Sequence, residues 1–156
     1  MIDINGGSKN PVAARLSNFT SRPFSFDGVQ CVSIEGVLQS FKFSAAATQQ
    51  KICLMRPVKA KKMGVESPGW KNSQTLSWKG IVFTRHSTMY QSILTRLYDA
   101  VYDEDQTFRS DLLALGDEDI CHSVGISDQH NTVLTEAEFI SQLNRLRKRA
   151  KEEING

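Results

Sequence analysis

Glu35, Gln39 and Lys42 fall at i, i+4 and i+7 of a segment that also carries Ile34, Val37, Leu38 and Phe41. At about 100° per residue the three polar side chains share one helical face, roughly a quarter-turn from the apolar stripe. A strip in that place lies where core gives way to solvent, or where a cleft opens. Two readings are open. A Glu and a Lys two turns apart can be a surface ion pair contributing about 0–1 kcal/mol. The other reading gives the carboxylate acid and base work beside an amine that acts as nucleophile or phosphate partner. A lysine in a partly desolvated cleft loses charge stabilisation, which favours the neutral, nucleophilic amine. Such an amine attacks the anomeric carbon of an opened sugar to form a Schiff base, with Glu35 moving the protons that glycosidic cleavage needs.

Other chemistries lack their residues. There is no GxGxxG, no P-loop lysine, no GxSxG and no HExxH. His86, His122 and His130 have no metal-ligand spacing, and nothing in the sequence requires a metal or cofactor. Cys31, Cys53 and Cys121 are odd in number and far apart, as expected of reduced packing thiols in a cytosolic protein. The start, MIDINGGSKN, lacks the basic flank and apolar stretch of a secretory leader. No run approaches the roughly 18 apolar residues of a membrane span, so no membrane partner is expected. A net charge of +2 identifies no polyanion binder by itself. The cations are nevertheless clustered, at Arg56, Lys59, Lys61 and Lys62 and again at Arg145, Arg147, Lys148, Arg149 and Lys151. The second run reads as the polar side of a helix, and the first is the better candidate for phosphate contact.

A chain of 156 residues fits one domain, 1–156, with one core. Residues 1–15 read as irregular, with a short strand at Ile2–Ile4. Phe24–Phe26, Asp27-Gly28 and Val29–Val32 form a hairpin pattern, since Asp-Gly suits a turn with two positive φ angles. Ser33 caps the helix predicted over 34–43. A short helix over Thr48–Met55 follows, then one with Pro57 in its first turn, ending near Gly64. Residues 65–78 hold the breakers and read as a loop, while Ile81–Phe83 is too short to assign. Longer apolar periods predict helices over 87–103 and around Phe108–Leu115, the latter stopped by Gly116. Ile120–Val124 is a candidate strand before a polar loop, 125–131, and Thr135 with Glu138 forms a capping box for the last helix. The class is α+β, helix-rich with a few short strands.

Leu16-Ser17-Asn18-Phe19, the Asp-Gly hairpin and the stretch Ser33–Phe43 together resemble the YbiA-like, or NADAR, superfamily. Its pattern is SNF, a short hairpin, then a Glu followed by a QxxKF-type element. The resemblance continues through Ala60-Lys61-Lys62-Met63-Gly64 and resumes at Phe108–Asp117 and the final helix. It implies enzymes that cleave N-glycosidic bonds, some in ADP-ribose attached to guanine bases and others in phosphorylated riboflavin-pathway intermediates. It assigns catalysis to Glu35 and Lys42 and places Asn18, Phe19 and Gln39 at the ligand. The Arg56–Lys62 segment, with Lys62 among its contacts, would then meet a pyrophosphate.

The sequence also departs from better-known members. Their site Trp follows the basic segment, and counting back from Leu112 puts His86 near its place, with Trp70 and Trp78 earlier. Their Asp-containing tail motif, followed by Trp-Gly, gives way to His122-Ser123-Val124-Gly125. His86, His122, Ser123 and Gly125 therefore join the expected ligand-binding set. The variant is similar to members carried by tailed phages, which would act in the host cytoplasm. The expected partner is an ADP-ribose-type nucleotide or ADP-ribosylated guanine in nucleic acid. The expected activity is N-glycosidic hydrolysis, and the alternative is a module that sequesters such a nucleotide without turnover.

Overall fold

A computed structural model describes residues 1–156. The chain starts with a two-residue strand, β1 (Ile2–Asp3), within the short strand expected at Ile2–Ile4, and a short helix, α1 (Pro11–Arg15), where the pattern predicts irregular chain. Its ends make α1: the Asn10 side chain accepts the N–H groups of Val12 and Ala13, and Pro11 presets the first turn. So short a helix has no room to display an apolar period. β2 (Phe24–Phe26) and β3 (Val29–Cys31) form the expected antiparallel hairpin, with Asp27 and Gly28 at φ 49° and 80°.

α2 (Ile34–Ser40) opens where the Gly36 N–H donates to the Ser33 hydroxyl. It stops short of Phe43, because the Lys42 and Phe43 N–H groups donate to the Gln39 and Ser40 carbonyls in tighter i→i+3 turns. Ile34, Val37, Leu38 and Phe41 are at most 1% exposed. Burying each contributes about 1.5–3 kcal/mol, which fixes the rotation of α2 and so the direction of its polar face. α3 (Ala46–Cys53) and α4 (Pro57–Val65) pack against α2.

The predicted loop 65–78 is instead structured. It holds α5 (Gly69–Ser73) and β4 (Thr75–Trp78), and β4 pairs with β5 (Ile81–Thr84). This hairpin turns on Lys79 and Gly80, at φ 50° and 86°. The turn is of the same two-residue kind as Asp-Gly, but Lys does not announce it.

α6 (Thr88–Glu104) buries the predicted stripe from Tyr90 to Val101, and α7 (Gln106–Ala114) follows it. β6 (Ile120–Cys121) is shorter than expected and pairs in parallel with β1, Ile2 against Ile120. The capping box at Thr135 and Glu138 opens α8 (Glu136–Asn155) as predicted. The three sheets are two-stranded and separate, and the helices bury one continuous apolar cluster. The class is α+β. Cys31 and Cys53 are buried free thiols and Cys121 is a half-buried one. No helix is long and apolar enough to cross a membrane.

Candidate active site

The first turn of α2 is tied to the SNF segment. The Glu35 N–H donates to the Asn18 carbonyl at 3.1 Å, and the Tyr98 hydroxyl donates to Asn18 Oδ1 at 2.8 Å. One turn on, Gln39 Nε2 donates to Glu35 Oε1 at 2.7 Å. Glu35 and Gln39 are 6% and 3% exposed, yet both line a cleft of about 210 Å³. Its other walls come from Asn18 and Phe19, from Lys61 on α4 and from the loop after β6, including His122 and Gly125. Gln39 Oε1 is buried without a hydrogen-bond partner.

Lys42 lies beside this cleft and does not line it. The tightened turn after Ser40 rotates it away from the helical register that periodicity assigns. Its Nζ stands 5.8 Å from the centre of the Trp70 ring. Gly64 makes the fit possible: a Cβ there would lie 1.7 Å from Gln39 Oε1 and 3.2 Å from Lys42 Nζ. Burial pulls the Lys42 ammonium down to about 8, the Lys61 charge adds to this, the Glu35 carboxylate opposes it and Lys71 adds least. The expected alternative of a surface ion pair is not what forms. Glu35 is buried and bonded to Gln39, and Lys42 makes no ion pair. The arrangement is a carboxylate, an amide one turn on and, past the end of α2, a weakly basic amine beside them.

Residues 10–148 match the family described as Bacteriophage protein GP30.3. The chain belongs to this phage family. A relative, the "Uncharacterized 17.1 kDa protein in Gp30-rIII intergenic region" of Enterobacteria phage T4, is 33% identical over 147 residues, covering 94% of this chain and 96% of that protein. The NMR structure of the E. coli protein YbiA is similar in fold, with a TM-score of 0.65 at 17% identity over all of this chain and 90% of that one. The fold is thus YbiA-like, in a phage-type member.

In this GP30.3-family chain, the cleft brings together Asn18, Phe19, Glu35, Gln39, His122 and Gly125 of the expected set. Four expected residues stand elsewhere. Lys62 is exposed outside the cleft, and it is the adjacent Lys61 that lines it, 6.0 Å from the Phe19 ring centre. His86 is held by Gln129 at 3.0 Å and Gln74 at 3.1 Å, bracing the loop that forms the far end of the cleft. The ring that stands by Lys42 is Trp70, which a count along a supposed loop could not place because α5 and β4 compact that segment. Ser123 is turned away, its hydroxyl and N–H both donating to the Asp3 carboxylate. Lys42 is the fourth, as described. The sequence also gave no sign of Asn5 and Gly6, which line the cleft only because β1 pairs with β6. No three His, Cys, Asp or Glu side chains converge as metal ligands.

Proposed function

We propose that the protein is an N-glycosidase that hydrolyses an ADP-ribose-type nucleotide, removing ADP-ribose from guanine bases. The observation that carries this is Gln39, which bonds the Glu35 carboxylate and packs with the weakly basic Lys42 amine against Gly64. As the neutral Lys42 amine, turned into the cleft on its flexible stem, bonds to C1′, the C1′–N bond breaks, and the Glu35 carboxylate carries a proton from the Lys42 nitrogen to the departing base. The C1′–O4′ bond then opens, O4′ takes the second Lys42 proton by way of Glu35, and C1′ and Nζ are left joined as a Schiff base. Water then adds to C1′, the C1′–Nζ bond breaks, and the amine is regenerated with free ADP-ribose.

Size supports a divided ligand. A cleft of about 210 Å³ is smaller than the roughly 300–1,000 Å³ of pockets that enclose a whole drug-sized molecule. It takes the ribose and its base, leaving the pyrophosphate over the rim at Lys61 and Lys71. Those amines are free of acidic partners. Glu35→Ala and Lys42→Ala separate this reading from simple sequestration. Hydrolysis of ADP-ribosylated guanine DNA should be lost in both variants, with ADP-ribose binding largely retained. Borohydride should trap a sugar adduct on Lys42 of the wild type. No adduct, with turnover surviving Lys42→Ala, overturns the covalent step; no turnover by the wild type, with tight ADP-ribose binding, favours sequestration.

A further inference from the structure

The loop after β6 carries into the cleft an imidazole whose surroundings fix its proton. His122 Nδ1 lies 2.5 Å from the Ile4 carbonyl, which can only accept, so Nδ1 carries hydrogen. In the neutral ring Nε2 is then a bare acceptor, and it has no partner in the protein. The ring stands edge-on to Phe139 at 4.9 Å, and the His122 N–H donates to Glu136 at 3.2 Å. The following turn is shaped around it. The Gly125 N–H closes on the His122 carbonyl at 2.9 Å, and a Cβ at Gly125 would come within 2.7 Å of His122 Cδ2. Ser123 anchors the turn to Asp3 on β1. His122-Ser123-Val124-Gly125 is thus a holder in which Ser123 fixes the turn and Gly125 leaves room for the imidazole.

We propose that His122 is a positioning residue for the ligand: its Nε2 accepts a hydrogen bond from an O–H or N–H of the nucleotide and so orients it against Glu35. This rests on the reading that the cleft takes a nucleotide. The other polar groups of the wall are differently disposed. Asn18 Oδ1 already accepts from Tyr98, Glu35 Oε1 accepts from Gln39, and Gln39 Oε1 is turned toward Gly64. Nε2 is a neutral acceptor open to a ligand rich in donors, as a ribose or a guanine is.

The test is nitrogen NMR of the imidazole in the intact protein, free and with ADP-ribose. Ribose 5-phosphate, offering only hydroxyl donors from its sugar, and 9-methylguanine, offering only N–H donors, distinguish the two sources. The free protein should show protonated Nδ1 and unprotonated Nε2, and the Nε2 resonance alone should move strongly on binding. His122→Phe keeps a ring against Phe139 and should weaken ADP-ribose roughly tenfold, the size of one lost hydrogen bond. A proton on Nε2, or an Nε2 resonance unmoved while the Glu35 and Gln39 amides report saturation, overturns the role and leaves the nucleotide reading intact. Binding of none of the probes overturns both.

Discussion

Two basic runs of the chain meet opposite fates. On α8, Arg145 pairs with Asp99 at 2.8 Å, Arg149 with Asp103 at 3.2 Å and Glu153 at 2.8 Å, and Lys151 with Asp117. Arg147 donates to the Glu118 carbonyl at 2.7 Å. Around α4, Arg56, Lys59, Lys61 and Lys62 make no ion pair, and neither do Lys42 and Lys71 nearby. The difference lies in the neighbours. α8 packs on α6, which presents Asp99 and Asp103, one turn apart, to the arginines. α4 packs on α2 through Pro57, Ala60 and Gly64, and the acid there, Glu35, is buried and bonded to Gln39. Two runs of cations therefore do unequal work: α8 fastens the fold, and α4 leaves a positive rim beside a cleft.

Gly64 offers the strongest way to break that contrast, because it joins α4 to the chemistry. A Cβ in Gly64→Ala would sit 1.7 Å from Gln39 Oε1, which is confined by its bond to Glu35. The amide must leave, and Lys42 must shift with it. Turnover of ADP-ribosylated guanine DNA should fall at least about 100-fold, as misplacement near 1 Å can produce. Overpacking should cost about 1–3 kcal/mol in denaturant unfolding. Wild-type turnover in this variant would show that α4 is only a rim.

The next largest effect is on pH dependence. The Lys42 amine is held near 8 mainly by burial and next by the Lys61 charge. Its neutral form increases as pH rises through that value, so kcat should rise along a limb centred near 8 and level above it. Lys61→Gln removes a like charge, raises the Lys42 value and should move the limb to higher pH. Arg149→Gln, on the paired surface, should leave it in place. A shared shift in both variants would mean that net charge alone, rather than the local rim, tunes the amine.

Much of this was legible in the residues, and the gaps have physical causes. The apolar stripe Ile34–Phe41 and the Ser33 cap position Glu35 and Gln39 as the periodicity predicts. Lys42 follows a different rule, since i→i+3 bonds after Ser40 break the 100° register. The Lys79-Gly80 hairpin stayed hidden because a positive φ at Lys has no sequence signature, and with it went the position of Trp70. Asn5 and Gly6 reach the cleft through a parallel pairing of β1 with β6, a contact between distant segments that neither segment's composition encodes. Both basic runs were visible, but which of them is neutralised depends on what packs opposite.

That last point sets the smallest and most discriminating measurement. Neutralising the rim in Lys61→Gln/Lys71→Gln removes two cations that no acid offsets. ADP-ribose affinity should fall roughly tenfold at low salt, and the loss should shrink as added salt screens the rim. The unfolding temperature should barely change, because no ion pair is lost and only the 6.0 Å approach of Lys61 to the Phe19 ring goes. Arg149→Gln should do the reverse. Its pairs with Asp103 and Glu153 are exposed, so removing them costs at most about 1 kcal/mol. Unfolding should shift down by no more than about 4 °C with affinity unchanged. If Arg149→Gln instead weakened ADP-ribose as much as the rim variant, ion pairing within the fold would not predict which cations serve a ligand. If the rim variant lost stability and kept its affinity, the free cations of α4 and α5 would be serving the protein itself, and the pyrophosphate would have to lie elsewhere.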